Sequence, residues 1–283
     1  MMVTGRSKAA ASAYWLVHYL LLGLFIAFAL FPLYWLLKVS VTPNNILYAE
    51  GVRLWPSATT WANYTFVLTR SDFPRFFLNS VIVSTATALL TTLLAASAGY
   101  AFSRFAFRGK IVVVALMLVT QMFPLVMLIA PIFRLLAPLG LTDSLLGLVV
   151  VYTAFNTPFA TFLMQSFFDG IPRELEEAAM IDGDTRFGAL WRIILPLTLP
   201  GIAATVGFIF TAAWSELLFA LMLISSTSAS TFPVGLLSFV SKFSIDFGQM
   251  MAAGVLALIP ACGFFIFIQR YLVQGLTAGA VKG

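Results

Sequence analysis

The sequence predicts an all-α, polytopic membrane protein with six transmembrane helices and both termini in the cytoplasm. Its 283 residues are 61% hydrophobic and only 10% charged, whereas soluble globular domains are about 25% charged. Because one soluble core cannot bury so much apolar surface, this composition excludes a soluble enzyme. The apolar residues come in continuous runs, unlike the alternating pattern of a transmembrane β-barrel. The single cysteine, Cys262, excludes a disulfide framework and a Cys-rich zinc site, and we expect it to be a packing residue.

Six apolar runs are long enough to cross a bilayer, which takes about 20 residues. In chain order they cover 14–37, 76–102, 111–134, 145–168, 197–223 and 251–272. A seventh run, 217–241, is rejected because residues 225–231 are all small and mostly hydroxylated, which is typical of a loop. The first run is longer than the apolar core of a signal peptide and lacks a small-residue cleavage site, so we expect a retained helix.

The Lys and Arg residues predict which side of the membrane each connection occupies. With the N-terminus inside, ten of them fall on the cytoplasmic side and six outside, in agreement with the positive-inside rule. The inner ones are Arg6, Lys8, Arg104, Arg108, Lys110, Arg173, Arg186, Arg192, Arg270 and Lys282; the outer ones are Lys38, Arg53, Arg70, Arg75, Arg134 and Lys242. The predicted divisions are a cytoplasmic N-terminus 1–13, a transmembrane domain 14–273 with external segments 38–75 and 225–250 and a cytoplasmic loop 169–195, and a cytoplasmic tail 274–283.

Small residues and prolines are expected to shape the packing of these helices. Gly99 and Gly201 occur where neighbouring helices can approach closely. Several prolines lie inside the predicted spans, where they can kink a helix. They are Pro124, Pro131, Pro158 and Pro260.

The segment 169–192 is unusually acidic for a cytoplasmic loop, with six acidic and three basic residues. It also predicts two short helices. Pro172 suits a first helical position, Gly183 a helix end and Thr185 the cap of a second helix. The first helix carries apolar residues at a spacing of three to four, namely Leu175, Ala178 and Ala179. The second repeats them over two turns, at Phe187, Leu190, Trp191 and Ile194.

Two interpretations of this loop remain open from these residues. It can be an amphipathic hairpin that lies on the membrane surface, as many connectors do. Alternatively, it can dock into a basic, apolar-lined cleft of a partner protein. The second interpretation explains the acidity better, because the anionic inner leaflet repels an acidic helix.

The same loop carries a motif that resembles the signature of ATP-binding-cassette (ABC) importer permeases. That signature is Glu-Ala-Ala, three residues, Gly, nine residues and Ile-x-Leu-Pro, and this chain matches it over 177–196. The resemblance implies a MetI-like, type I importer permease fold in which the loop is a coupling helix that docks on a separate ATPase subunit. The residues implied to contact the ATPase are Glu177, Ala178, Ala179, Asp182, Gly183, Ile193, Leu195 and Pro196.

The C-terminal segment from Gln269 resembles the tail of the maltose-type carbohydrate permeases, as do Trp214–Leu221 and Phe232–Leu236. In that subfamily the tail reaches between the two ATPase subunits. The tail residues implied to make this contact are Gly275, Thr277, Gly279 and Lys282.

The resemblance implies a binding-protein-dependent carbohydrate importer in a bacterial or archaeal cytoplasmic membrane. Its implied partners are a second homologous permease subunit, two ATPase subunits and an extracytoplasmic solute-binding protein. The chain has no phosphate-binding loop, so it is not expected to be an enzyme, and ATP and Mg²⁺ are expected only on the partner ATPase. No basic run indicates nucleic-acid binding. No metal site is expected, because the only histidine, His18, has no neighbouring acid or cysteine and is expected to pack.

Glu216 is the only acidic residue within the predicted spans, and an intramembrane carboxylate is a candidate for a substrate path. Tyr152 and Asn156 are further candidates, because sugars stack on aromatic rings and bond to amides. The substrate implied is an oligosaccharide, a disaccharide or a polyol. The alternative function is a self-contained secondary carrier or channel that uses Glu216, and a purely structural membrane scaffold also remains open.

Overall fold

The computed structural model describes residues 8–241 and 245–280 and is almost entirely helical there. Its α-helices are α1 (Lys8–Ser40), α2 (Asn44–Glu50), α3 (Ala62–Thr69), α4 (Phe73–Arg104), α5 (Lys110–Met122), α6 (Leu125–Leu136), α7 (Leu145–Asp169), α8 (Glu174–Ile181), α9 (Arg186–Ala189), α10 (Leu195–Leu197), α11 (Leu199–Trp214), α12 (Leu218–Leu223), α13 (Phe232–Leu236) and α14 (Phe247–Ala280). A π-helical turn, Leu190–Ile194, joins α9 to α10.

Within the described ranges, four helices are long and apolar enough to cross a membrane: α1, α4, α7 and α14. Two bent pairs also pass this test together, α5 with α6 at 106° and the α9–α10 segment with α11 at 70°. Counting each bent pair as one span gives six, the predicted number, although the second pair begins at Arg186, within the predicted cytoplasmic loop 169–195, and ends at Trp214 instead of residue 223. The side of the membrane on which the termini lie stays a prediction.

The third predicted span, 111–134, is not one helix, because it breaks at Phe123 and Pro124. Phe123 is extended, with φ −74° and ψ 132°, as residues before proline usually are. Pro124 has no N–H to donate to the preceding turn, so α5 ends and α6 begins after it. Sequence periodicity does not reveal this break, since both halves are apolar.

The fifth predicted span, 197–223, is also interrupted, at residues 215–217 between α11 and α12. The carboxylate of Glu216 accepts hydrogen bonds from the backbone N–H groups of Phe219 and Ala220, at 2.9 and 3.2 Å. These are orphan donors in the first turn of α12, so Glu216 acts as a helix cap where continuous helix was expected.

The described residues divide into two compact units: one includes Phe239–Leu256 and the chain up to Ser71, and the other includes Asp72–Ser238 and the chain from Ala257. In the smaller unit, polar side chains tie the end of α1 to the start of α14. Asn63 donates to the carbonyls of Ser40 and Thr42, and Asn44 donates to the carboxylate of Asp246. Asp246 also accepts the N–H of Gln249 in the first turn of α14.

The larger unit is built around α4, which packs along α7 and α11. Gly99 confirms the predicted close approach, because a Cβ there would stand 2.8 Å from the backbone nitrogen of Gln165 in α7. Gly201 is similarly required, since its Cβ would overlap the ring of Phe167. A cluster of buried apolar residues fills the space between these helices and α12, and its fully buried members include Leu148, Tyr152 and Leu223.

Candidate functional site

The loop 169–195 folds locally as its residues predict. Three carboxylates, Glu174, Glu176 and Glu177, occupy the first turn of α8, where the helix dipole favours negative charge. Gly183 has φ +91° and ends α8 in the left-handed conformation that glycine adopts without strain. Thr185 accepts the N–H of Gly188 at 3.0 Å and caps α9, as predicted.

The structure places the signature residues on two sides of this loop. Five are exposed to solvent: Glu177, Ala178, Asp182, Gly183 and Pro196. Ala179 is buried, and Ile193 and Leu195 are half-buried. The first group is accessible to a partner, whereas the second contributes to the packing of the loop.

The loop also exposes large apolar side chains beside Glu177. Ile181 is 85% exposed and lies one helical turn after Glu177, on the same face of α8. Phe187 and Trp191 are 69% and 57% exposed, and their rings meet edge to face at 6.0 Å. We call Glu177, Ile181, Phe187 and Trp191 the loop face. Exposed aromatic and aliphatic side chains of this kind are typical of protein interaction sites.

The apolar stripe predicted for α8 is not its buried side. Leu175 is 41% exposed and Ala178 is exposed, whereas Glu176 and Ala179 are buried. The carboxylate of Glu176 makes an ion pair with Nε of Arg104 at 2.5 Å and accepts the hydroxyl of Tyr100 at 3.0 Å. No local signal in the sequence marks Glu176 for this role, because it is one of several acidic residues in the same helical turn.

The predicted substrate-path residues Glu216 and Tyr152 lie together. The Tyr152 hydroxyl donates to Glu216 at 2.6 Å, so this carboxylate has three internal donors including the two amides of α12. Asn156 is half-buried one turn after Tyr152 and donates to its carbonyl at 2.7 Å. This arrangement holds the break between α11 and α12 against α7.

A separate, mostly apolar cavity of about 600 Å³ lies between the bent α5–α6 pair and α7. Thr120, Gln121 and Thr157 are the polar residues of its lining, and the Gln121 amide donates to the Phe155 carbonyl at 3.1 Å. None of the three predicted substrate-path residues lines it. Across the described ranges, no group of three or more His, Cys, Asp or Glu side chains is placed to hold a metal ion.

Asp143 fastens the connection between α6 and α7 to the polar segment that follows α12. One carboxylate oxygen of Asp143 accepts the N–H groups of Ser225 and Ser226 and the hydroxyl of Ser226, at 2.8 to 2.9 Å. The N–H of Asp143 donates to the carbonyl of Leu223 at 2.8 Å. The backbone N–H of Ser226, and then that of Ser225, hold the pKa of Asp143 below its ordinary value of 3.8.

We predict that the contact between Asp143 and the Ser225–Ser226 segment stabilises the folded protein at neutral pH and is lost at low pH. Because the folded-state pKa of Asp143 is below 3.8, the contact is fully formed above that pH and is lost as the pH falls through the folded-state pKa. We expect Asp143→Ala to speed hydrogen exchange at the Ser225 and Ser226 amides at pH 7. Asp143→Asn is the control, since it keeps an oxygen acceptor and tolerates the observed φ of +52°. Equal protection in Asp143→Ala and the wild-type protein would contradict this assignment.

The chain matches a known protein family and two transport permeases over most of its length. Residues 88–278 match the family model described as binding-protein-dependent transport system inner membrane component. The chain is 35% identical over 254 residues to the sulfoquinovosyl glycerol transport system permease protein of Agrobacterium fabrum, which covers 90% of this chain and 89% of that protein. It is 34% identical over 277 residues to the trehalose transport system permease protein of Mycobacterium tuberculosis, which covers 97% of this chain and 99% of that protein.

A solved structure shares the fold. The crystal structure of a bacterial ABC transporter involved in importing the acidic polysaccharide alginate contains a chain that superposes with a TM-score of 0.81 at 22% identity. The superposition covers 95% of this chain and 99% of that one.

Proposed function

Because the chain belongs to the family of binding-protein-dependent transport system inner membrane components, we propose that it pairs with a second permease subunit to import a carbohydrate. It is a multi-pass inner-membrane protein and a permease subunit of an ABC transporter. The permease subunit is not itself an enzyme. In the proposed importer, the path for the carbohydrate lies between the two permease subunits. ATP binding and hydrolysis on separate subunits drive the path between outward-facing and inward-facing states.

The proposal that this chain couples to an ATPase subunit rests on the loop face. It combines an exposed carboxylate, Glu177, with three exposed apolar side chains, those of Ile181, Phe187 and Trp191. Such a surface suits a basic, apolar-lined cleft on the ATPase, because apolar contact gives affinity and opposite charge gives orientation. One ATPase subunit would dock here and the other on the partner permease. ATP and Mg²⁺ would be held by those subunits, and this chain would contribute only the mechanical contact.

Carbohydrate is the proposed substrate class because the relatives are named for transport of sugars and sugar derivatives. Trehalose is a neutral disaccharide, whereas sulfoquinovosyl glycerol is a sulfonated glycoside. The relatives therefore support a saccharide framework and not a particular net charge. An oligosaccharide, a disaccharide or a polyol fits the proposal.

The proposed topology follows from the charge distribution, with the loop 169–195 and both termini in the cytoplasm. The segments 38–75 and 225–250 would then face outward, where a solute-binding protein delivers the substrate. Contacts at two points in these segments support this role: Asn63 donates to the carbonyl of Ser40 at the end of α1, and Asp143 accepts from Ser225. The tail residues predicted to contact the ATPase, Gly275, Thr277, Gly279 and Lys282, lie outside the side chains that the structure describes, so that contact stays a proposal.

Affinity purification of the tagged chain in mild detergent tests the proposal. We expect a second permease subunit and an ATPase with a phosphate-binding loop to copurify, in a ratio of two ATPase subunits per permease pair. The complex in lipid nanodiscs should hydrolyse ATP faster when its binding protein and sugar are added. A stable homo-oligomer that neither binds an ATPase nor responds to ATP would contradict the proposal and favour a self-contained carrier.

A further inference from the structure

The end of α4 is joined to the loop before α8 by contacts at several points. Arg104 pairs with Glu176 through Nε, and its Nη2 donates to the Ile171 carbonyl at 2.9 Å. Ser103 donates to the carboxylate of Asp169 at 2.6 Å, and Arg173 donates back to the Ser103 carbonyl at 2.7 Å. These bonds connect two adjacent residues of α4 to both ends of the connection between α7 and α8.

The ion pair between Arg104 and Glu176 is buried, whereas the ion pair between Arg192 and Asp184 in the same loop is more exposed. The side chains of Arg104 and Glu176 are 4% and 6% exposed, whereas Arg192 in its pair with Asp184 is 76% exposed. An exposed pair exchanges readily with water and contributes little. A buried pair has no water to replace either partner, so separating its two charges is strongly unfavourable. The Tyr100 hydroxyl adds a third contact and fixes the orientation of the Glu176 carboxylate.

We propose that Arg104 and Glu176 are positioning residues that make α8 and α4 move as one rigid body. This inference rests on the proposed function, because it assumes that an ATPase moves the loop face. Glu176 and Glu177 are adjacent, so one carboxylate is exposed for docking while its neighbour is fixed to a transmembrane helix. A displacement of α8 therefore reaches α4 directly through the ion pair.

The packing of α4 allows this helix to pass a displacement on to the helices around it. It runs from Phe73 to Arg104 and packs along both α7 and α11. At Gly99, within two turns of Arg104, the backbones of α4 and α7 approach too closely for a side chain. A close-packed contact of this kind transmits displacement, since it has no space in which to absorb it. Motion imposed at Arg104 is thus passed to the centre of the larger unit.

The test is the number of sugar molecules imported per ATP hydrolysed by the assembled transporter in proteoliposomes. The variant combines Arg104→Gln with Glu176→Gln, because removing both charges leaves no unpaired buried ion. Glutamine is shorter than arginine and loses the contact to Ile171, so the link is loosened. Arg108→Gln is the matched control, since Arg108 is an exposed cation four residues further along the chain, in the connection between α4 and α5.

We expect the double variant to assemble with its ATPase in normal yield and to keep ATP hydrolysis within about twofold of wild type. Sugar imported per ATP should fall by about tenfold, within the range observed for residues that carry coupling between sites. Arg108→Gln should leave the ratio unchanged. The inference is wrong if import and hydrolysis fall together with the yield of complex, as a purely structural role requires, or if the ratio is unchanged. Failure of the proposed function is distinguishable, because the wild-type complex itself would then show no ATP-dependent import.

Discussion

We expect Glu177→Lys to abolish ATP-driven import while leaving the helical bundle folded. Glu177 is exposed on the loop face, so its replacement should cost little more than the loss of a favourable charge in the first turn of α8, about 1–2 kcal/mol of the free energy of unfolding. Reversing its charge places a cation against the basic cleft proposed for the ATPase. Like charges at an interface cost several kcal/mol, so affinity for the ATPase should fall by about 100-fold or more.

This result is checked by copurification of the ATPase, import into proteoliposomes and thermal unfolding of the purified chain. The matched control is Asp72→Lys, which reverses another exposed carboxylate at the far end of α4, on the side predicted to face outward. It should bind the ATPase normally. If Glu177→Lys retains both assembly and import, the loop face is not the docking site. If its unfolding temperature falls sharply, Glu177 has a structural role instead.

Replacement of Glu216 by leucine should lower the free energy of unfolding by at least about 3 kcal/mol. Three donors lose their acceptor in this variant, the hydroxyl of Tyr152 and the N–H groups of Phe219 and Ala220. Each buried donor left without a partner costs about 1–3 kcal/mol. The chain at the break between α11 and α12 should become less ordered. Import should fall in proportion to the amount of folded protein. Thermal unfolding in detergent measures the first effect.

Glu216→Gln separates this structural role from the rival function. The amide oxygen of glutamine can take the place of Oε2 and accept from Tyr152 and Ala220, so only the Phe219 N–H loses its acceptor. We therefore expect a smaller loss of stability than in the leucine variant, about 1–3 kcal/mol, and ATP-driven import by the folded protein. A proton-coupled carrier would lose transport, because an amide does not titrate. A folded Glu216→Gln protein without transport would thus favour the self-contained carrier and contradict the cap.

The loop 169–195 illustrates how closely sequence and structure agree where the governing chemistry is local. The acidic first turn, the glycine at the end of α8 and the threonine cap of α9 were all readable from residues within one or two turns of each other. The apolar stripe of α8 is largely exposed, at Leu175 and Ala178, and the buried side of the helix includes Glu176, which no local pattern indicates. Helical spacing identifies a face but not its neighbour, and here the neighbour is the end of α4.

The all-α class, the apolar runs that can cross a membrane and the position of the signature loop all follow from the amino-acid sequence alone. Apolar run length, helix spacing and capping residues are local properties, and in a bilayer they leave few alternatives. Only the tertiary structure decided which of the adjacent carboxylates Glu176 and Glu177 is buried, since the partner Arg104 lies 72 residues away in the chain. The same holds for Glu216, whose second partner, Tyr152, is on another helix. A buried charge is stabilised by whatever the fold places beside it, and no local pattern encodes that neighbour.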